Sequence, residues 1–384
     1  MSSATATPLE LALVAGEASG DVLAALLLSG LKQRWGDIHA RGIGGPRMAE
    51  QGFEAWWPHH KLAVRGYAEV LRHYREIVSI RRQLRDRLLQ RPPAAFVGVD
   101  APDFNLDLAA DLKAAGIATL QFVCPAIWAW RPKRVHQIAR SVDHVLCIFP
   151  FEPELLKSHG IQATFVGHPL ASVIPMRPDR LAARKSLGLD ENKPVLTLMP
   201  GSRASEIKSL AHRFLQTARL LSALHPGLQV VLPVAPGLQP LLDQVLQETG
   251  PLPGLTLLQG QSHTALAACD VVLVASGTAT LEAALFKRPM VIAYHMHALS
   301  WWLTRRQQLQ PWVGLPNILA REFLVPEYLQ DQAQPEAMCT ALNDWLTKPS
   351  KVERLQQRFD EIHLSLKQDT AVSCADAIQK VLAR

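Results

Sequence analysis

LELALVAGEASGD, residues 9–21, is a short apolar run that stops at a glycine turn, and a helical pattern follows from Val22 to Trp35. KPVLTLMPGSR, residues 193–203, repeats the arrangement. Between the two lie AAFVGV (94–99), ATLQFV (118–123) and HVLCIF (144–149), each bounded by Pro or Gly or ending at Asp100. After the second come LQVVLPVA (228–235), LTLLQG (255–260), DVVLVASG (270–277) and PMVIAYH (289–295). Short apolar runs alternating with helical segments describe parallel strands covered on both faces. The expected fold is therefore α/β, with two Rossmann-like parallel-sheet domains facing a cleft. The Pro-rich stretch VIPMRPDR (173–180) places the joint, giving domains 1–175 and 176–350. Residues 351–384 read as a helical segment that packs back on the N-terminal domain or exchanges between subunits of a homodimer.

Composition narrows the function classes. The chain has 384 residues, a net charge of +6, 48% apolar and 19% charged residues, which is ordinary globular composition. No run reaches the roughly 18 apolar residues of a membrane span. The opening MSSATATPLE lacks the basic and apolar regions of a secretory signal. Cys124, Cys147, Cys269, Cys339 and Cys374 are scattered without a CxxC, so neither a disulfide framework nor a zinc site is expected. A cytoplasmic protein is the expectation.

In open parallel sheets ligands bind beyond the carboxyl ends of the strands, so the turns there are the candidate sites. Gly16-Glu17-Ala18-Ser19-Gly20-Asp21 matches neither a dinucleotide nor a Walker fingerprint. It is either a ligand turn, with Ser19 on a sugar hydroxyl, or a plain capped turn. Asp100 ends a strand in GVDAPDFN (98–105) and is either a general base towards a hydroxyl or, with Asp103, a helix cap; the cap is the commoner role. Gly201, Ser202 and Arg203 precede a helix and suit a diphosphate, although Ser202, Ser205 and Glu206 also resemble capping chemistry. Arg203 favours the first reading, because a cation at a helix start opposes the macrodipole. Ser276, Gly277, Thr278, Ala279 and Thr280 open a second helix whose free amides suit phosphate oxygens, with Glu282 in reach of ribose hydroxyls.

The charge is concentrated. Residues 61–91 carry nine basic and three acidic residues, which accounts for the whole excess of +6. Ile77, Ile80, Leu84 and Leu88 fall at helical spacing. Arg72, Arg75, Arg81, Arg82 and Arg85 then form a basic outer face that meets anionic lipid or simply water. Trp301 and Trp302, beside Arg305 and Arg306, suit an acyl-chain contact or core packing. His295 and His297 lack the helical spacing of a metal pair, and no RRM, KH or zinc-knuckle signature accompanies the basic residues. Neither a metal nor a nucleic-acid partner is expected.

Taken in order, GEASGD (16–21), GVDAPDFN (98–105), WAWRPKRV (128–135), VGHPL (166–170), PGSRASEI (200–207), SGTATLEAAL (276–285) and LPNILA (315–320) resemble the lipid-A-disaccharide synthase family, inverting glycosyltransferases of the GT-B architecture. The resemblance runs from about residue 9 to the C-terminus. It implies a UDP-2,3-diacylglucosamine donor and a 2,3-diacylglucosamine 1-phosphate acceptor. The products would be a β-1,6-linked disaccharide 1-phosphate and UDP, with no cofactor. It also implies a cytoplasmic enzyme held peripherally on the inner membrane of a Gram-negative cell. Asp100 would be the base; Glu17 and Ser19 would orient a sugar. Arg203 and residues 277–280 would stabilise the diphosphate, Glu282 would hold the ribose, and Asn317 would help position the donor. Three segments depart from the family pattern: Arg65-Gly66 replaces a Met-Gly pair, Cys124 and Ala126 replace serines, and Arg321-Glu322 is displaced by one. No role is carried over to Arg321. Another GT-B enzyme, such as a UDP-N-acetylglucosamine epimerase or a transferase with a soluble acceptor, is the alternative; a two-lobed binding protein and a nucleic-acid binder fit less well.

Overall fold

The computed structural model describes residues 8–62 and 67–383. The Arg65-Gly66 pair and the Arg72 side chain fall outside the described residues. The chain divides into two compact units, Met1–Ser172 with Leu366–Arg384, and Val173–Ser365. The residues expected as one C-terminal piece are thus shared between the two.

The first unit holds β1 (Leu9–Ala15), β2 (Ile38–Gly44), β3 (Glu54–Pro58), β4 (Ala95–Val99), β5 (Ala118–Phe122), β6 (His144–Cys147) and β7 (Ala163–Phe165). They form one parallel sheet in the order β3-β2-β1-β4-β5-β6-β7. Alternate residues of β1 feed two cores: Leu11, Leu13 and Ala15 on one face, Ala12 and Val14 on the other. That is why the run is apolar throughout rather than alternating. Helices Ala18–Trp35 and Thr370–Leu382 cover the first face, and Tyr67–Gln90 and Pro102–Ala114 cover the second. The last helix therefore packs back on the first within the same chain. The approach is close enough that a Cβ on Gly30 would stand 2.1 Å from the Ala371 carbonyl oxygen.

The second unit holds β8 (Val195–Met199), β9 (Gln229–Val234), β10 (Leu255–Gln259), β11 (Val271–Ala275), β12 (Met290–Tyr294) and β13 (Glu327–Leu329). Their parallel order is β10-β9-β8-β11-β12-β13. In both sheets the strand order reverses beside the first strand, between β1 and β4 and between β8 and β11. Ligands of doubly wound sheets settle at such reversals.

The basic helix Tyr67–Gln90 differs from its expectation. Ile80, Leu84 and Leu88 are buried as its spacing requires. Arg81, however, pairs with Asp107 at 2.6 Å and Arg85 with Asp111 at 3.6 Å, both on the adjacent helix. Those two arginines join helices instead of presenting free charge, because their helix lies flat against its acidic neighbour. Arg75 and Arg82 are exposed and have no ion pair among the described residues. Trp301 is half-buried, while Trp302 is exposed beneath the Arg306 guanidinium. Among the described residues no helix is long and apolar enough to cross a membrane.

Candidate active site

The turn after β4 is where the first unit concentrates its chemistry. Asp100 and Ala101 both adopt left-handed backbone, φ 52° and 40°. Such residues cost roughly 1–3 kcal/mol each and persist only where neighbours over-determine them. Here the Asp100 carbonyl oxygen accepts from Asn105 Nδ2 at 2.8 Å and from Gln121 Nε2 at 3.0 Å, and both amides are buried. The spacing of GVDAPDFN follows from that clamp. A Cβ on Gly98 would lie 2.7 Å from the Asn105 Cβ and 2.9 Å from Gln121 Oε1, so a side chain there would displace the clamp.

Neither aspartate caps the next helix. Its N-cap is Ala101, without a side-chain cap, while Asp103 lies in the first turn and pairs with Arg134. Burial pushes the Asp100 carboxyl upward, the nearby Glu17 charge pushes it further, and the Ala101 amide opposes both only in part. Glu17 is thus brought to Asp100, whereas Ser19 is exposed on the first turn of its helix. Asp21, from the same motif, has a structural task. Its buried carboxylate accepts from the amides of Gly45, Arg47 and Met48, tying down the helix Pro46–Glu50.

Asp100 opens into a cavity of about 370 Å³ walled by Cys124, Trp128, Trp130, Arg131, Arg134 and Phe149. Cys124 and Ala126, the departures from the family pattern, both line it. Glu152 holds the aromatic wall, and it was not legible in the sequence. It is 1% exposed and accepts from Trp128 Nε1 and the Phe149 amide, each at 3.0 Å. Burial raises its carboxyl to about 7, against these donors.

In the second unit, the turns after β8 and β11 line one cavity of about 420 Å³, within the usual size of small-ligand sites. Gly201, Ser202, Arg203 and Glu206 come from one turn, and Ser276, Gly277, Thr278, Ala279 and Glu282 from the other. The two turns are built differently. The Glu206 carboxylate accepts from the amides of Ser202 at 2.9 Å and Arg203 at 3.2 Å, so these amides are not free for an anion. Capping explains that backbone, and Glu206 also answers why a cation stands at the helix start, pairing with Arg203 at 3.2 Å. The Arg203 side chain remains 61% exposed at the cavity.

Gly277 has φ 148°, open only to glycine, and nothing stands within 4 Å of where its Cβ would be. The helix Thr278–Leu285 has Gly277 as N-cap, which makes no side-chain cap, and its first residues Thr278 and Ala279 line the cavity. Anions are held at such helix starts by amide hydrogen bonds and the macrodipole. Glu282 lines the cavity beside His263, at 3.8 Å, a neighbour the sequence did not flag. Burial raises the Glu282 carboxyl, and His263 works against that rise.

Thr280 and Asn317, expected at the donor, are not among the residues lining this cavity. Thr280 is fully buried; its hydroxyl donates to the Gly277 carbonyl and accepts from the Leu315 amide. Asn317 is also fully buried. Its Nδ2 donates to the Val325 carbonyl and Glu327 Oε1, and its Oδ1 accepts from the Val325 amide. Through these bonds Asn317 braces the 313–327 segment. Glu327, which it orients, accepts from the amides of Val313 and Gly314. Ser276 is tied to the same segment through the Val313 carbonyl at 3.0 Å. Arg321 is the left-handed C-cap of helix Leu315–Ala320.

Residues 11–381 match the family model described as lipid-A-disaccharide synthetase. A curated relative named lipid-A-disaccharide synthase from Albidiferax ferrireducens is 59% identical over 379 residues, covering 97% of each chain. Among solved structures, a putative UDP-N-acetylglucosamine 2-epimerase from Listeria monocytogenes superposes with TM-score 0.63 at 10% identity, covering 97% of this chain and 95% of its own. The calicheamicin glycosyltransferase CalG4 does so with TM-score 0.61 at 18% identity, covering 99% of each. At those identities the structural likeness concerns the fold alone.

Proposed function

The chain belongs to the lipid-A-disaccharide synthase family, and from that premise we propose how its two sites divide the reaction. It is a glycosyltransferase of GT-B fold that forms the lipid A disaccharide from a UDP-sugar and a lipid acceptor. The family match sets aside the epimerase reading, whose support is a shared fold.

In the proposed chemistry the acceptor is 2,3-diacylglucosamine 1-phosphate and the donor UDP-2,3-diacylglucosamine. Asp100 takes the proton of the acceptor 6-hydroxyl as that oxygen bonds to the donor anomeric carbon. The bond to UDP breaks on the opposite face, the electron pair leaves with the diphosphate, and the new linkage is β. One observation carries this assignment: a strained, doubly clamped turn holds Asp100 at the strand reversal, with its carboxyl raised by burial and by the Glu17 charge. A base works best when its pKa lies near the operating pH. Glu17 contributes by keeping negative charge beside Asp100.

The leaving diphosphate is received by the Thr278 and Ala279 amides and by Arg203, groups oriented before charge develops. Glu282 accepts from the ribose hydroxyls. Ser19 meets a sugar hydroxyl from the first turn of its helix.

Exposed Arg75 and Arg82, with Trp302 and its stacked Arg306, support peripheral binding to an anionic membrane surface, since both substrates carry acyl chains. The test of the reaction is incubation of the purified chain with both acylated substrates, followed by mass spectrometry. The expected product is one disaccharide 1-phosphate per UDP released. UDP release without disaccharide would overturn the reading.

A further inference from the structure

The Asp100 cavity contains a cation that the fold does not use. Arg134, on the same wall, is paired with Asp103. Arg131 has no carboxylate partner among the described residues; its guanidinium lies 4.3 Å from the centre of the Trp130 ring. The backbone of Arg131 is left-handed, φ 52°, an uncommon conformation for a residue with a side chain. Trp130 is itself 41% exposed. A strained turn therefore holds an aromatic platform and an unneutralised guanidinium at the rim, while Cys124, Ile127, Trp128 and Phe149 leave the remaining wall largely apolar.

A neutral sugar would offer such a guanidinium hydrogen-bond acceptors but no negative charge. A hexose that enters with its 6-hydroxyl at Asp100 turns its anomeric end away from that carboxylate. We propose that Arg131, steadied by Trp130, binds the anomeric phosphomonoester of the acceptor, and so selects a phosphorylated sugar over a neutral one. The guanidinium fork matches phosphate oxygens, and stacking on a ring fixes its plane in advance. The proposal rests on the reading of Asp100 as the base that meets the acceptor.

The experiment compares two acceptors, 2,3-diacylglucosamine 1-phosphate and the same lipid without phosphate, in neutral detergent micelles. Wild type should favour the phosphorylated acceptor. Arg131→Ala should lower its kcat/KM by about 10- to 100-fold, the usual loss for a charged hydrogen bond. The loss should fall mainly in acceptor KM and leave the donor KM in place, so that the ratio between the two acceptors collapses. Arg131→Lys should recover part of the preference. Arg131→Gln, which keeps length without charge, should behave as Arg131→Ala does, and it replaces that variant if the alanine chain fails to fold. Equal losses with both acceptors, or no loss with either, would overturn the proposal. So would a loss seen only on vesicles containing anionic lipid, which would assign Arg131 to the membrane surface. If wild type forms no disaccharide from either acceptor, the reaction assignment fails instead, which separates the two conclusions.

Discussion

The two strand reversals have the same topology and opposite chemistry. Beside β1 and β4, the chain spends backbone strain and two buried amides on presenting one carboxylate in a mostly apolar cavity. Beside β8 and β11, a glycine with open space above it and uncapped helix amides present positive potential. The fold supplies a position in both cases, and the turn residues decide whether it serves a proton acceptor or an anion. Even the carboxylates differ in use. Asp100 is raised by burial, whereas Glu206 is occupied by two amides and an arginine.

Asp100→Asn tests the carboxylate side and should have the largest effect. Turnover should fall on the order of 10²–10⁴-fold, the usual contribution of a general base. UDP binding, followed by calorimetry, should not change. In wild type, kcat/KM should rise with pH through the Asp100 pKa, because only the ionised base accepts the proton. Its midpoint should lie above that of a free aspartate, since burial and Glu17 both disfavour that ionised form.

Arg203→Ala tests the anion side. UDP affinity should fall roughly 10- to 100-fold, as for a lost charged hydrogen bond. The remaining affinity belongs to the Thr278 and Ala279 amides. Unchanged affinity and turnover would leave Arg203 as a partner of Glu206 only.

Asn105→Ala should have the smallest effect on activity and would sharpen the contrast. It removes one of the two donors to the Asp100 carbonyl, so stability should drop by about 1–3 kcal/mol in a thermal melt. Turnover should fall less than in Asp100→Asn, with UDP binding unchanged. A turnover loss as large as that of Asp100→Asn would mean that the turn, more than the carboxylate, carries the rate.

Much of this was readable in advance where a strand is apolar on both faces. β1, β4, β5, β6, β8, β9, β10, β11 and β12 all lie within such apolar runs. β2 was not read because His39 and Arg41 interrupt it, and the buried Arg41 forms an ion pair with Glu10 on β1, at 2.8 Å. β3, at a sheet edge, carries exposed residues, and β7 and β13 are each three residues long. Local pattern is weak for edge strands, whose pairing comes from the neighbouring strand.

The sequence by itself determined the α/β class, the two repeated strand–glycine–helix openings, the family and the position of Asp100. These are local matters of hydrophobic run, turn chemistry and motif order. Only the tertiary structure decided what each polar side chain does. Burial consumed Thr280 and Asn317, helix packing neutralised Arg81 and Arg85, and capping took the amides beside Arg203. It also left Arg131 at the Asp100 cavity without a carboxylate partner among the described residues. The physical reason is that a polar group acts on a ligand only with the hydrogen bonds its own fold leaves unspent, and that remainder is settled by neighbours distant in sequence.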